Sequence, residues 1–318
     1  MSVRNKIYID FMGYRWWLLG FSACMIVIAL LSIGIKGLNF GIEFKGGTVV
    51  EVKAAGAKAT PDSIRAELAK NTVPDAVVQA ERDPGTGQVS GYLIRMPVSD
   101  PTVANTAVVA SLKAVQVPSG QMSVTTIGPG WGTTVTNAAI IALIVSLLAI
   151  LIYVSIRFEY KMSVTAVIAL FHDVIIVLGV YALTGRELTP NTIAALLSIL
   201  GYSLYDTIVV FHRIRENTGH LVKQSFMQMA NDSINQVLVR SLNTSFVSVI
   251  PPLMLLFFGG DTLKDFAFAL TIGLISGAYS SVAVASPLYA MWKEREPKFQ
   301  ALKKRYEAAD KNPGAAEV

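Results

Sequence analysis

WWLLGFSACMIVIALLSIGI, residues 16–35, carries no charge over twenty positions. At a rise of about 1.5 Å per residue, a helix of that length crosses the roughly 30 Å of bilayer hydrocarbon. Residues 134–156, TVTNAAIIALIVSLLAILIYVSI, repeat the pattern over 23 positions. The 318-residue chain is 53% hydrophobic and 15% charged, where a soluble domain carries about 25% charged residues. With 16–37 taken as the first span, further apolar segments at about 162–184, 189–211, 234–258 and 265–291 bring the total to six. The expected fold class is an α-helical membrane protein with six transmembrane helices. The first run is long and lacks a small-residue cleavage pattern, so it reads as a retained span rather than a removed signal peptide. Cys24 is the sole cysteine, which rules out an intramolecular disulfide.

Orientation follows from Lys and Arg in the short flanking segments. Residues 1–15, the 157–161 turn, the 212–233 loop and the tail from Lys293 together hold fifteen. The opposite side offers only Lys36, Arg186 and Lys264 near the membrane. Both termini are therefore expected in the cytoplasm, with 292–318 forming a basic tail. This bias accounts for the net charge of +5 without nucleic acid, for which no basic–aromatic platform is present.

The long segment between spans one and two, residues 38–132, is expected outside the cytoplasm as a folded α+β domain. It holds eight basic and eight acidic residues. TVVEVKA (48–54), AVVQAERD (76–83), GYLIRMPV (91–98) and SGQMSVTTIG (119–128) read as strands, the middle pair joined by a DPGTGQ turn. TPDSIRAELAKN (60–71) and DPTVANTAVVASLKAV (100–115) open on capped prolines and read as helices. The order β-α-β-β-α-β is that of a ferredoxin-like unit. The other five spans form a bundle over 133–291.

The chain has no G-x-x-x-x-G-K-[ST] phosphate loop, H-E-x-x-H, paired cysteines or G-x-S-x-G elbow. No enzyme, cofactor or metal is expected, and any energy must come from a partner or an ion gradient. Attention falls on charges at membrane depth, which are costly there and mark ion or proton routes. Asp206, within GYSLYDTIVVF (201–211), lies six residues from His212 and so about 9 Å in. Arg240 reaches a similar depth in the next span. Two such charges on antiparallel neighbours would pair or share a wet path; a fixed helix-locking pair and a snorkelling Arg240 are the alternatives. Tyr202 and Ser203, one turn before Asp206, and Asn243 and Thr244, one turn after Arg240, supply polar neighbours. His172 and Asp173 sit mid-span, open to either an interhelical hydrogen bond or a part in proton movement. Pro251-Pro252 is expected to break the fifth span. Gly273 and Gly277 form a G-x-x-x-G packing face.

GYSLYDTIVVFHRIREN (201–217) closely resembles the stretch GYSLNDTIVVFDRIREN of the SecF family of bacterial protein-translocase subunits. GLNFGIEFKGG (37–47), IRFEYK (156–161), FHD (171–173), SINQVLVRSLNTS (233–245) and FAFALTIGLISGAYSSVAVASPL (266–288) extend the resemblance in order. Tyr205, His212, Glu43 and Lys45 depart from it. The resemblance implies membership of the resistance–nodulation–division superfamily and a place in the bacterial inner membrane. It also implies a heterodimer with SecD, association with the SecYEG channel and YajC, and proton-driven help for a translocating unfolded polypeptide. Asp206 and Arg240 fall on the family's proton-coupling positions. A small-molecule or lipid transporter half, or a structural scaffold of a channel complex, are the rival functions.

Overall fold

The structure, a computed structural model, describes residues 8–71, 73–82, 86, 88–118, 121–221 and 224–311. Arg4, Lys6, Lys223, most of the DPGTGQ turn, the Ser-Gly that opens the 119–128 segment and the end of the tail lie outside the described residues. The first helix, α1 (Arg15–Lys36), leads to β1 (Asn39–Phe40) and a short helical turn, α2 (Ile42–Lys45). Next come β2 (Gly47–Lys53), α3 (Pro61–Lys70), β3 (Val77–Arg82), β4 (Val89–Met96), α4 (Pro101–Ala114) and β5 (Met122–Ile127). Five long segments follow: α5 (Pro129–Arg157), α6 (Tyr160–Thr184), β6 (Glu187–Leu188) leading into α7 (Pro190–Thr218), α8 (Phe226–Phe258), and α9 (Asp261–Ser280). The last continues through a π-helical turn, Ser281–Ala285, into α10 (Ser286–Glu294), and α11 (Pro297–Lys311) ends the described chain. Among the described residues, six helices are long and apolar enough to cross a membrane, α9 to α10 counting as one.

The four-stranded sheet has the order β3-β4-β2-β5 with antiparallel neighbours. Tyr92, Ile94 and Met96 of β4 alternate onto one face with Val50 and Val52 of β2, where Ile64, Leu68, Val108 and Leu112 from α3 and α4 close a small core. The helices start where polar caps meet orphan amides: Thr60 Oγ1 accepts from Ser63 N, and Asp100 Oδ1 accepts from Thr102 N at 2.8 Å. The odd-numbered residues of β4, Leu93 and Arg95, lie on the sheet's other face.

A second core lies in the bundle, centred on α6, α7 and α9, and includes Leu170, Val177, Ile199, Leu200 and Phe211. Close approach is secured by small residues. A Cβ on Gly273 would stand 2.2 Å from Ile199 Cδ1, and one on Gly277 would stand 2.8 Å from Ser203 Cβ, so this G-x-x-x-G face packs α9 directly on α7. Gly179 lets α6 meet α1 in the same way, against Ala29. α5 and α8 bury little of themselves against the rest.

One expectation is corrected. Pro251-Pro252 does not break the fifth span: both prolines lie inside the continuous α8. α7 carries the fourth span, expected over 189–211, and continues as helix to Thr218.

Candidate functional site

Asp173, fully buried on α6, has four side-chain partners. Its Oδ2 accepts from Ser203 Oγ at 2.6 Å and Ser280 Oγ at 2.9 Å, and its Oδ1 accepts from Ser276 Oγ at 2.6 Å. His172 Nδ1 lies 3.1 Å from the same Oδ1. Three helices thus converge on one carboxyl, and the serines replace the water it would otherwise need. His172 is itself buried, stacks obliquely near Tyr279, and leaves Nε2 without a partner among the described residues.

Ser203, placed by helical spacing beside Asp206, turns instead to Asp173. Asp206 faces α8, where it accepts from Ser245 Oγ at 2.8 Å. A crevice of about 20 Å³ opens here, lined by Tyr205, Asp206, Thr244, Ser245 and Ser248 among others. That is room for one water. Nearby, Thr207 Oγ1 and Ser281 Oγ are 2.9 Å apart, and Ser281 Oγ donates to the Gly277 carbonyl at 2.9 Å. Ser281 opens the π-helical turn, a local widening of the helix often found at functional positions.

No ion pair links Asp206 to Arg240 among the described residues. Asp206 faces the Ser241–Ser245 turn of α8, which begins one residue beyond Arg240, while the Arg240 side chain turns away from it. Arg240 is exposed and lines a cleft of about 490 Å³ with His212, Arg213, Glu216 and Gln236, towards the Thr218 end of α7. Tyr202, Asn243 and Thr244 are exposed as well, on the open side of α7 and α8. The candidate set thus divides into a buried group, Asp173, His172 and Ser203, the crevice carboxyl Asp206, and an outward polar face.

Sequence reasoning missed Thr207, Ser276, Ser280 and Ser281 as site residues. Ser276 and Ser280 are one turn apart and adjoin Gly273 and Gly277, so the pattern that marked a packing face also marked hydroxyls delivered to a carboxyl.

Comparison with known proteins places these features in a lineage. Residues 107–295 match the family model described as protein export membrane protein SecD/SecF, C-terminal, and residues 31–57 match the SecD/SecF GG motif. The chain is 38% identical to the protein translocase subunit SecF of Streptomyces coelicolor, over 98% of this chain and 84% of that one. It is 37% identical to the protein translocase subunit SecDF of Thermus thermophilus, over 89% of this chain and 38% of that one. The crystal structure of SecDF from Thermus, a translocon-associated membrane protein, superposes with a TM-score of 0.80 at 34% identity, over 93% of this chain. This chain spans 40% of that longer one.

Proposed function

Because the chain belongs to the SecD/SecF family of protein-export membrane proteins, we propose that it is an auxiliary subunit of the Sec translocase that uses the proton gradient to promote polypeptide export. The observation that carries the proton-coupled part is Asp206. It is a buried carboxyl beside a one-water crevice, held by a neutral serine hydroxyl rather than by an ion pair. A group so placed takes up a proton without first breaking a salt bridge. Protonation changes what Ser245 is bonded to, and so changes the α7–α8 contact. Arg240, at the cleft on the Thr218 side, supplies a positive charge along the route and discourages entry of other cations.

In this reading the protein is a multi-pass component of the bacterial inner membrane with both termini in the cytoplasm, supported by the Lys and Arg distribution. Residues 38–132 form an extracytoplasmic ferredoxin-like domain, supported by the sheet order β3-β4-β2-β5 and its two packed helices. SecD covers the open face of α7 and α8. Polar residues at membrane depth do not face lipid, and Tyr202, Tyr205, Arg240, Asn243 and Thr244 are exposed there. The SecDF relatives, in which a matching region is part of one longer chain, support the same pairing. Association with SecYEG and YajC follows from family membership.

The test is export of a secreted reporter in cells whose only copy is native, Asp206→Asn or Arg240→Met. Proton uptake into inverted vesicles and membrane insertion are followed alongside. Joint loss of export and proton uptake in inserted protein supports the reading; normal export by Asp206→Asn ends it.

A further inference from the structure

The sheet domain meets the bundle at a seam that the sequence does not mark. β1 pairs in parallel with β6, Asn39 opposite Glu187 and Phe40 opposite Leu188. Gly41 N donates to the Leu188 carbonyl at 2.9 Å, and Lys36 Nζ donates to the Leu183 carbonyl at 2.9 Å. At the centre of the seam, Arg95 Nη1 lies 3.1 Å from Glu187 Oε2, and both side chains are about nine-tenths buried, at 9% and 8% exposure. Arg95 reaches it from the sheet face turned away from α3 and α4, steadied by Gln79 Oε1 at 3.3 Å. Beside the pair, Arg186 is bonded to Asp265 of α9 at 2.7 Å and packs over Phe268 at 4.3 Å.

Glu187 occupies the connection between α6, which bears Asp173, and α7, which bears Ser203 and Asp206. A shift of either helix along its axis therefore reaches Glu187 across only two linking residues. The pair is also poised to open. Burial pushes the Glu187 carboxyl above its ordinary range, Arg95 pulls it back, and Glu43 and Asp265 push it up again. Buried ion pairs sit near break-even between desolvation and attraction, so a small change in geometry decides whether they hold. Fixed backbone pairing keeps the β1–β6 hinge together while this side-chain contact makes or breaks.

We propose that the Arg95–Glu187 pair is the contact that transmits rearrangement of α6 and α7 to the sheet domain, so that Arg95 and Glu187 are positioning residues for export and not part of the proton route. This rests on the proton-coupled reading given above. It predicts uncoupling. In the presence of the native partners, Arg95→Met and Glu187→Gln proteins insert, keep proton uptake within about twofold of native, and lose about tenfold in export rate, a change within the range seen for coupling mutations. The reversed pair, Arg95→Glu with Glu187→Arg, regains most of the export.

Export and proton uptake are measured together in cells and inverted vesicles, with Asp206→Asn as reference. Native export by both single variants overturns the proposal, as does failure of the reversed pair to recover any export. A parallel loss of export and proton uptake in the single variants also overturns it, assigning the pair to fold maintenance. Should Arg95→Met fail to insert, Glu187→Gln, which keeps its shape and an acceptor, decides the matter. If Asp206→Asn leaves proton uptake unchanged, the proton reading fails by itself, while rescue by the reversed pair still reports on transmission.

Discussion

Ser203 and Asp206, less than one turn apart on α7, serve different helices: Ser203 Oγ is bonded to Asp173 of α6 at 2.6 Å, and Asp206 is bonded to Ser245 of α8 at 2.8 Å. The same stretch of α7 is thus tied on one side to a densely bonded, closed cluster and on the other to serine hydroxyls of α8 beside a crevice. The asymmetry separates a fixed flank, α6–α7–α9, from a changeable one, α7–α8.

Asp206→Asn keeps an acceptor for Ser245 Oγ and removes the titratable group. Its thermal stability in detergent should stay within about 1 kcal/mol of native, the worth of one ordinary hydrogen bond. Export should nonetheless be lost. A large fall in melting temperature would show that the carboxylate charge holds the fold.

Asp173→Ala strands the Ser203 and Ser276 hydroxyls and leaves Ser280 only the Gly277 carbonyl at 3.3 Å. Each unsatisfied buried group costs about 1–3 kcal/mol, so a loss of at least about 2 kcal/mol is expected. Asp173→Asn, which preserves an acceptor, should lose less. Thermal unfolding in detergent orders native, Asn and Ala; equal stability of all three would contradict the cluster's structural weight.

Gly277→Ala places a methyl 2.8 Å from Ser203 Cβ. Overpacking of this kind costs about 1–3 kcal/mol and should lower the melting temperature. Gly20 on α1 has no atom within 4 Å of its added Cβ. Gly20→Ala should therefore raise helix stability, by up to about 1 kcal/mol.

Glu296 binds Lys161 Nζ at 2.7 Å and Lys293 Nζ at 3.0 Å, anchoring the start of α11 to the bundle. Burial works against its charge, but the hydrogen bonds from Lys161 and Lys293 outweigh it and hold the carboxyl below its ordinary range. A lowered acid contributes docking stability that is complete above the unfolded value, near about 4.3, and fades as pH falls through the lowered one. A spin label at Gln300→Cys, in a Cys24→Ala background, should therefore gain mobility below about pH 4. Glu296→Gln should show that mobility already at neutral pH.

The six apolar helices were legible because a membrane-spanning run must be both long and uncharged. Asp206 stood out for the converse reason, as a charge where charges are rare. Asp173 was visible, but its role as a hub was not: its partners Ser276 and Ser280 are a hundred residues away, and their one-turn spacing beside Gly273 and Gly277 reads first as packing. Asp206 and Arg240 form no ion pair among the described residues because the two side chains leave neighbouring helices in different directions, which depth counting does not see. Which way Ser203 points is set by helix rotation, which Gly273 and Gly277 fix through packing rather than through any local pattern.

The parallel pairing of β1 with β6 has a consequence for biosynthesis. Every residue of the sheet domain's core lies at or before Met122, whereas Glu187 and Leu188 emerge some sixty residues later, after α5 and α6 have been made. The domain is therefore able to collapse around Tyr92 and Ile94 while its docking edge is still unwritten. Attachment waits until α6 has been made and the segment after it returns to β1. The ribosome imposes an order of assembly: module first, seam second, with Arg95 lacking its Glu187 partner in the interval between them.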